Sequence, residues 1–269
     1  MHKLKEFFYF LHDLYLNKEL IIQLSKNDLK SRYSGSVFGI TWAFVQPLVT
    51  ILVFWFVFQV GFRNPPVDNI EFILWFVPAF LPWNYFSDAL LNSSNSLHEY
   101  SYLVKKIKFR TSILPMIKVF SATIIHFFFI IFLYFIFLVY GHKPSFIYIQ
   151  LFYYTISLMI LLIGLSWIVS SLSVFFKDFS QIVNILLQIG FWLTPVFWNP
   201  HQMSPKILWV FKLNPMYYIV DGYRNTLIYR SAFWNSSQLT IYFWVVTSII
   251  FVLGALLYRK LRVHFADLL

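Results

Sequence analysis

Three single carboxylates, one histidine and a few amides are the polar side chains inside or beside the long apolar runs of this chain, so any chemistry must start there. The carboxylates are Asp88, Asp178 and Asp221. A membrane-embedded transferase that moves sugars on a lipid carrier would need paired carboxylates, or an acidic metal-binding pair, at the membrane surface. These three are scattered singly, which disfavours that chemistry. His126, near the middle of an apolar run, could relay protons, but it reads better as a hydrogen-bonded contact between helices. The eight glycines form no G-x-x-x-x-G-K-[ST] loop, and no H-E-x-x-H pair or nucleophile elbow occurs. The absence of cysteine excludes disulfides and thiolate metal sites. Neither ATP nor a metal is expected on this chain itself.

The amides are more informative. Gln46, Asn84, Asp88, Asn184 and Gln188 fall within apolar runs, where polar groups are costly and usually face a protein interior or a cavity. The aromatic load is 10 Trp, 17 Tyr and 33 Phe. Most of it is explained by lipid-facing bulk and interfacial belts. Part of it could also form a sugar path, because pyranose C–H faces stack on aromatic rings while hydroxyls bond to Tyr, Trp and amide groups. Trp192, Trp198, Tyr217 and Tyr218 are the candidates beside a broken apolar stretch.

A third feature is the connector "SLHEYSYLVKKIKFRTSILP", Ser96 to Pro115, with Lys105, Lys106, Lys108 and Arg110. Leu97, Tyr100, Leu103 and Val104 recur at helical spacing, which predicts a short helix with one face free to enter a partner's groove. The cations are expected mainly to hold the loop at an anionic membrane surface.

These residues must be positioned by a membrane scaffold. The 269 residues are 59% hydrophobic and 12% charged, with a mean hydropathy of +0.67. That apolar surface cannot be hidden in a soluble domain of this size. We therefore predict an all-α integral membrane protein forming one transmembrane domain over 1–269. Apolar residues at helical spacing over 4–31, among them Leu4, Phe7, Phe8, Leu11, Leu14 and Tyr15, predict an amphipathic helix in the membrane interface within the 1–36 segment. No signal-peptide layout is visible there. Six spans follow: Val37–Phe62, Ile70–Leu91, Ile113–Tyr140, Phe146–Phe176, Phe179–Trp198 and Leu239–Tyr258. The first five fill 37–198, around a connecting loop at 92–112. The 199–238 segment is broken by Asn214-Pro215 and Asp221-Gly222 and is expected to form a re-entrant or external pair of short helices. The sixth span, 239–258, precedes a tail at 259–269. Pro78 and Pro82 should distort the second span. Gly35 and Gly39 form a GxxxG that could serve as a helix-contact face. No internal repeat is visible, which disfavours an inverted-repeat carrier.

The net charge of +10 reads as positive-inside bias rather than nucleic-acid binding. On this topology 15 of the 21 Lys and Arg residues fall on one side, with Arg63, Lys143, Lys206, Lys212, Arg224 and Arg230 on the other. Both termini and the basic connector are thus expected in the cytoplasm.

Several stretches resemble, in order, the permease subunits of bacterial ABC exporters of polysaccharides. "DLKSRYSGSVFGITWAFVQPL" is similar to the approach to their first span and "VPAFLPWNYFSDAL" to their second. "LVKKIKFRTSILPM" resembles their cytoplasmic loop, "FFKDFSQIV" with "FWLTPVFW" their fourth-to-fifth connection and fifth span, and "LNPMYYIVDGYRNTL" their external segment. The sequence departs from the family pattern at Ala79, Arg110 and Lys177. The resemblance implies a homodimer in the bacterial inner membrane, docked on two copies of a separate ATPase that binds ATP and Mg. Lipid-linked polysaccharide, with O antigen preferred over teichoic acid or capsule, would pass between the two permeases. It further implies contacts to the ATPase from Leu97, His98, Tyr100, Leu103, Val104, Lys105, Lys106, Phe109, Lys177 and Asp178. The path and gate would draw on Trp42, Trp192, Phe197, Trp198, Phe211, Asn214, Pro215, Tyr217 and Tyr218, with Phe211–Tyr223 at the external end.

Overall fold

A computed structural model of the protein describes residues 18–63, 66, 70–105 and 110–269. The expected interfacial residues before Lys18, and Lys106, Lys108 and Phe109 of the basic connector, lie outside the described residues. Helix α1, Lys18–Arg32, is followed by a turn and a 3-10 segment, Gly39–Thr41, that leads into α2, Trp42–Trp55. A π-helical turn, Phe56–Gly61, ends that rod. Next come α3, Phe72–Glu99, the short α4, Ser101–Val104, and α5, Ile113–Val139. Helices α6, Gln150–Phe175, and α7, Phe179–Leu193, are separated by a sharp corner. Two short helices, α8 at Pro205–Lys212 and α9 at Pro215–Leu227, precede α10, Ser237–Leu261, and the terminal turn α11, Phe265–Leu268.

Four of these rods are long and apolar enough to cross a bilayer: Gly39–Gly61, Ile113–Val139, Phe146–Phe175 and Phe233–Leu268. Helix α3 has the length, 28 residues or ~42 Å at 1.5 Å per residue, but its second half is polar. Helix α7 has 15 residues, roughly 22 Å, which is short of a ~30 Å hydrocarbon core. These two occupy the places of the expected second and fifth spans.

The chain itself explains where the helices stop. Helix α5 ends in a glycine cap: Gly141 takes φ +79°, while the Gly141 N–H donates to Leu138 O and the His142 N–H to Phe137 O at 3.0 and 2.9 Å. Pro205 and Pro215 stand in the first turns of α8 and α9, where their missing N–H groups cost nothing. Helix α3 runs on through Pro78 and Pro82 to Glu99, eight residues past the expected end at Leu91. Small side chains make this possible. Ser93, Ser94 and Ser96 are buried, as are Ser166, Ser170 and Ser171 of α6, so the backbones approach closely. The Ser173 hydroxyl donates to Ser94 O across that seam.

The GxxxG reading is corrected. Gly35 and Gly39 have φ of +90° and +52°, and nothing lies within 4 Å of where a Cβ would sit. They serve a turn, whose left-handed backbone favours glycine. The close helix contact is instead Gly164 of α6 against Gly254 of α10, where a Cβ on Gly164 would lie 2.8 Å from Phe251 Cα.

Contacts separate the two ends of the bundle. At one end α1, the end of α3, α4, the start of α5 and the end of α6 meet, joined by Tyr100–Asp28, Lys118–Asp28 and His98–Ser173 contacts. Phe265 of the tail packs there against Phe175 and Tyr258. At the other end Tyr134 bonds Tyr148 O, Gln150 bonds Ser231 O and Arg230 bonds Lys143 O. Lys118 and Arg224 belong to neither surface, since both are buried inside the bundle at 2% exposure. Among the described residues, setting these two aside leaves ten cations in the basic group and five in the other.

Candidate functional site

The five polar residues of the apolar runs do converge. Gln46 on α2, Asn84 and Asp88 on α3, and Asn184 and Gln188 on α7 all line one cavity of about 550 Å³. His126 of α5 joins the lining. The lining stretch of α2 runs from Ala43 to Phe54, which is about 16 Å of helix, or roughly half the hydrocarbon thickness. Trp83, Phe191 and Trp192 add aromatic rings to the lining. Phe197 stacks on Trp192 with centroids 5.6 Å apart and on Phe76 at 5.0 Å, and Trp83 meets Phe191 at 5.9 Å. A groove lined by amides and aromatic rings can bond hydroxyls and stack on apolar C–H faces.

His126 is held in place. Its Nε2 lies 2.8 Å from the Tyr223 hydroxyl, its ring stacks on Tyr85 at 4.7 Å, and Tyr223 and Tyr85 pair in turn with Thr155 and Thr123. This is the hydrogen-bonded interhelical histidine that the sequence suggests.

At the basic end the groove wall meets a cluster of charges. Asp28 of α1 is 2% exposed, yet it accepts from Lys118 Nζ at 2.6 Å, the Ser121 hydroxyl at 2.7 Å, the Tyr100 hydroxyl at 2.9 Å and Arg32 Nη2 at 3.3 Å. Lys118 also pairs with Glu99. Arg32 Nη1 reaches both oxygens of Asp88, at 3.0 and 3.2 Å, and Asn92 donates to Asp88 Oδ1 at 2.8 Å. Burial works against ionising Asp28, but Lys118, Ser121 and Arg32 outweigh it and hold the carboxyl below its ordinary value. The Tyr100 phenol is pushed up by burial and by the carboxylate of Asp28.

At the opposite end a second buried cation ties three segments together. The Arg224 guanidinium of α9 lies over the Trp75 ring at 3.4 Å and donates to the carbonyls of Trp75, Pro195 and Val196. The last two belong to the irregular stretch after α7, whose backbone groups need such a partner in an apolar setting. Asn214 caps α9. Its side chain accepts from the Met216 N–H at 3.0 Å and donates to Thr194 Oγ1 at 2.9 Å. Gly222 lets α9 lie against Tyr154, whose ring occupies the space a Cβ would need.

The family can now be placed. The model of the ABC-2 type transporter family matches residues 19–228, more than half of the chain. The chain belongs to that family. It is also similar to an O-antigen export system permease protein RfbA of Klebsiella pneumoniae, 27% identical over 253 residues that cover 93% of this chain and 95% of the relative. A protein of the same description from Myxococcus xanthus is 28% identical over 219 residues, covering 80% of this chain and 82% of the relative. Together with the four apolar rods, membership identifies a multi-pass membrane subunit of an ABC transporter.

Within this ABC-2 fold the anticipated site residues separate into groups. Leu97 is fully buried and Val104 nearly so, at 0% and 8% exposure, and Leu103 and Tyr100 pack against the same core. The expected outward apolar face of 97–104 is therefore corrected: it turns into the chain, because Asp28 and Lys118 draw Tyr100 inward. His98, Glu99, Tyr102 and Lys105 are the exposed members of that segment, and Lys177 and Asp178 are exposed at the corner before α7. Among the path candidates, Trp192 lines the groove and Phe197 stacks on it. Trp198 donates its Nε1–H to Trp192 O at 3.0 Å and packs on Phe211 at 4.8 Å. Trp42 is exposed beside Phe38 and is not among the groove residues. Tyr217 and Tyr218 are buried at 3% and 4% exposure, with Tyr218 bonded to Tyr153 and Thr240, so they brace the bundle rather than face a conduit.

The three carboxylates considered for transferase chemistry stay apart. Asp88 is held by Arg32, Asp178 is exposed at the head of α7, and Asp221 accepts from Asn225 at 2.9 Å. Among the described residues no group of three His, Asp or Glu side chains could hold a metal ion. Sequence reasoning missed Asp28, Arg32, Lys118 and Arg224 as site residues. The one available signal was a lone lysine inside an otherwise apolar run at Lys118, which demands a counter-charge.

Proposed function

We propose that this chain is the permease subunit of an ATP-driven exporter that moves lipid-linked polysaccharide, with O antigen the preferred cargo, across the bacterial inner membrane. The observation that carries the reading is the single groove onto which α2, α3 and α7 turn Gln46, Asn84, Asp88, Asn184 and Gln188, with Trp192 in its lining and Phe197 stacked on that ring. Such a lining suits a hydroxyl-rich chain with apolar ring faces. The relatives named as O-antigen export permeases support the cargo.

The remaining parts of the proposal follow the same reading. Six segments span the membrane, α3 and α7 included, with the basic end and both termini in the cytoplasm. Two copies face each other across the groove, so that each supplies half of a continuous path. Two ATPase subunits bind ATP and Mg and dock on the cytoplasmic end, where His98, Tyr102, Lys105, Lys177 and Asp178 present exposed side chains. Helices α8 and α9, with Phe211, Asn214, Pro215 and Trp198, close the path at the external end. Nucleotide binding drives export only by favouring one of two packings of the permease pair.

The test is purification of the chain with its proposed ATPase subunit, reconstitution into vesicles, and measurement of hydrolysis and glycan translocation with defined lipid-linked glycans. Glycan-stimulated hydrolysis with translocation is expected, and Asn184→Leu with Gln188→Leu should reduce translocation while the complex stays intact. A complex that hydrolyses ATP but leaves every lipid-linked glycan on its original side would refute the reading.

A further inference from the structure

The charge cluster at the basic end reaches farther than a local staple needs to. Its contacts form an unbroken series from the 97–105 segment to the groove. Tyr100 and Glu99, at the end of α3, touch Asp28 and Lys118 respectively. Asp28 and Lys118 pair with each other. Asp28 also holds Arg32 one turn along α1, and Arg32 holds Asp88, which lines the groove.

Exposure falls along this series and then rises again. The side chains of Glu99 and Asp88 are 49% and 35% exposed, whereas those of Asp28 and Lys118 are 2% and 3% exposed. The dry centre therefore depends on complete pairing, since a buried charge left without a partner is strongly unfavourable. A network of this kind tolerates a whole arrangement or a different whole arrangement, and resists partial ones. Asp28 and Lys118 each join α1, α5 and the 97–105 segment, but Asp28 is the one of the two that also meets Arg32, and its four acceptor sites are each directed at a donor.

We propose that Asp28 is a positioning residue that locks α1 to the 97–105 segment as one moving body and passes that segment's displacement through Arg32 to Asp88 at the groove. The inference rests on the exporter reading, because it assigns the 97–105 segment to the surface that meets the ATPase. A merely structural staple would contribute to folding and leave the ratio of transport to hydrolysis untouched.

The experiment uses the permease–ATPase complex in vesicles and measures glycan translocated per ATP hydrolysed. Asp28→Asn removes the central charge, Tyr100→Phe removes one hydroxyl without altering shape, and Asp28→Glu restores the charge. We expect Asp28→Asn and Tyr100→Phe each to lower translocation per ATP by at least about fivefold, the low end of a typical coupling between sites, with hydrolysis retained and partial recovery in Asp28→Glu. Spin labels replacing Lys26 and Lys105 should keep one separation through the ATP cycle in the wild type and several in Asp28→Asn. Wild-type translocation per ATP in Tyr100→Phe, whether Asp28→Asn folds or not, would overturn the proposal. A wild-type complex that hydrolyses without translocating would overturn the exporter reading, and this proposal with it.

Discussion

Arg224 offers the sharpest test of how the external end is held. Its guanidinium satisfies three backbone carbonyls, at Trp75, Pro195 and Val196, and covers the Trp75 ring. Arg224→Met keeps the apolar stem and removes every donor. Each buried carbonyl left without its partner costs about 1–3 kcal/mol, so three cost at least about 3 kcal/mol before the ring contact is counted. For a chain of this size about 1 kcal/mol moves the melting temperature by roughly 2–4 °C, which places the expected loss near 6–12 °C. Arg224→Lys should fall between, because an ammonium keeps the charge but cannot fork to three diverging acceptors. The measurement is thermal unfolding of detergent-purified permease followed by size-exclusion chromatography. An Arg224→Met variant that melts within about 2 °C of wild type would show that α9 is anchored by packing alone and that the reasoning is wrong.

Three further outcomes are expected. Cysteines replacing Lys143 and Ser101 should differ in reach: an impermeant thiol reagent applied outside cells should label the first and not the second, and the reverse labelling would invert the orientation. Asn214→Ala removes a helix cap with about 1 kcal/mol of stabilisation and frees Thr194. Together with Pro215→Ala it should produce leak or blocked export without loss of the complex, and wild-type export with no leak would reduce the pair to a simple turn. Because the Asp28 carboxyl is held below the 3.8 of a free aspartate, its contribution is fully present above that value and is lost as pH falls through the lower, folded-state value. The melting temperature difference between wild type and Asp28→Asn should therefore be constant from pH 7 to about pH 5 and shrink below about pH 4; a difference that already shrinks at pH 6 would contradict this assignment.

The long apolar runs could be read without the structure because hydrophobic length is a local property. The third span was expected at Ile113–Tyr140 and the helix covers Ile113–Val139. The Asn214-Pro215 break was equally legible, since a proline in the first turn and an asparagine cap act within a few residues. The convergence of the five polar side chains could be anticipated as interior placement, from the cost of leaving them in lipid, though not as a single groove. Helix α3 was expected to end near Leu91 because Asn92–Ser96 reads as a loop. It continues against α6, where Ser94 O and the His98 ring both bond Ser173, a choice made by a neighbour more than 70 residues away.

What the sequence by itself determined is the class of molecule, the order and approximate limits of its apolar helices, and the polar residues that had to face inward. All of these follow from short-range hydrophobic pattern and helix-ending chemistry. What only the tertiary structure decided is which distant groups meet. Lys118 finds Asp28 across 90 positions and Arg224 finds Trp75 across 149, so two cations that looked like surface charges became the fixed points of the two ends. Gly164 and Gly254, not Gly35 and Gly39, make the close helix contact, and Leu97 turns into the core although its spacing suited an outward face. Partners of this kind are chosen by the packing of whole helices, and residue spacing along a single helix carries no record of them.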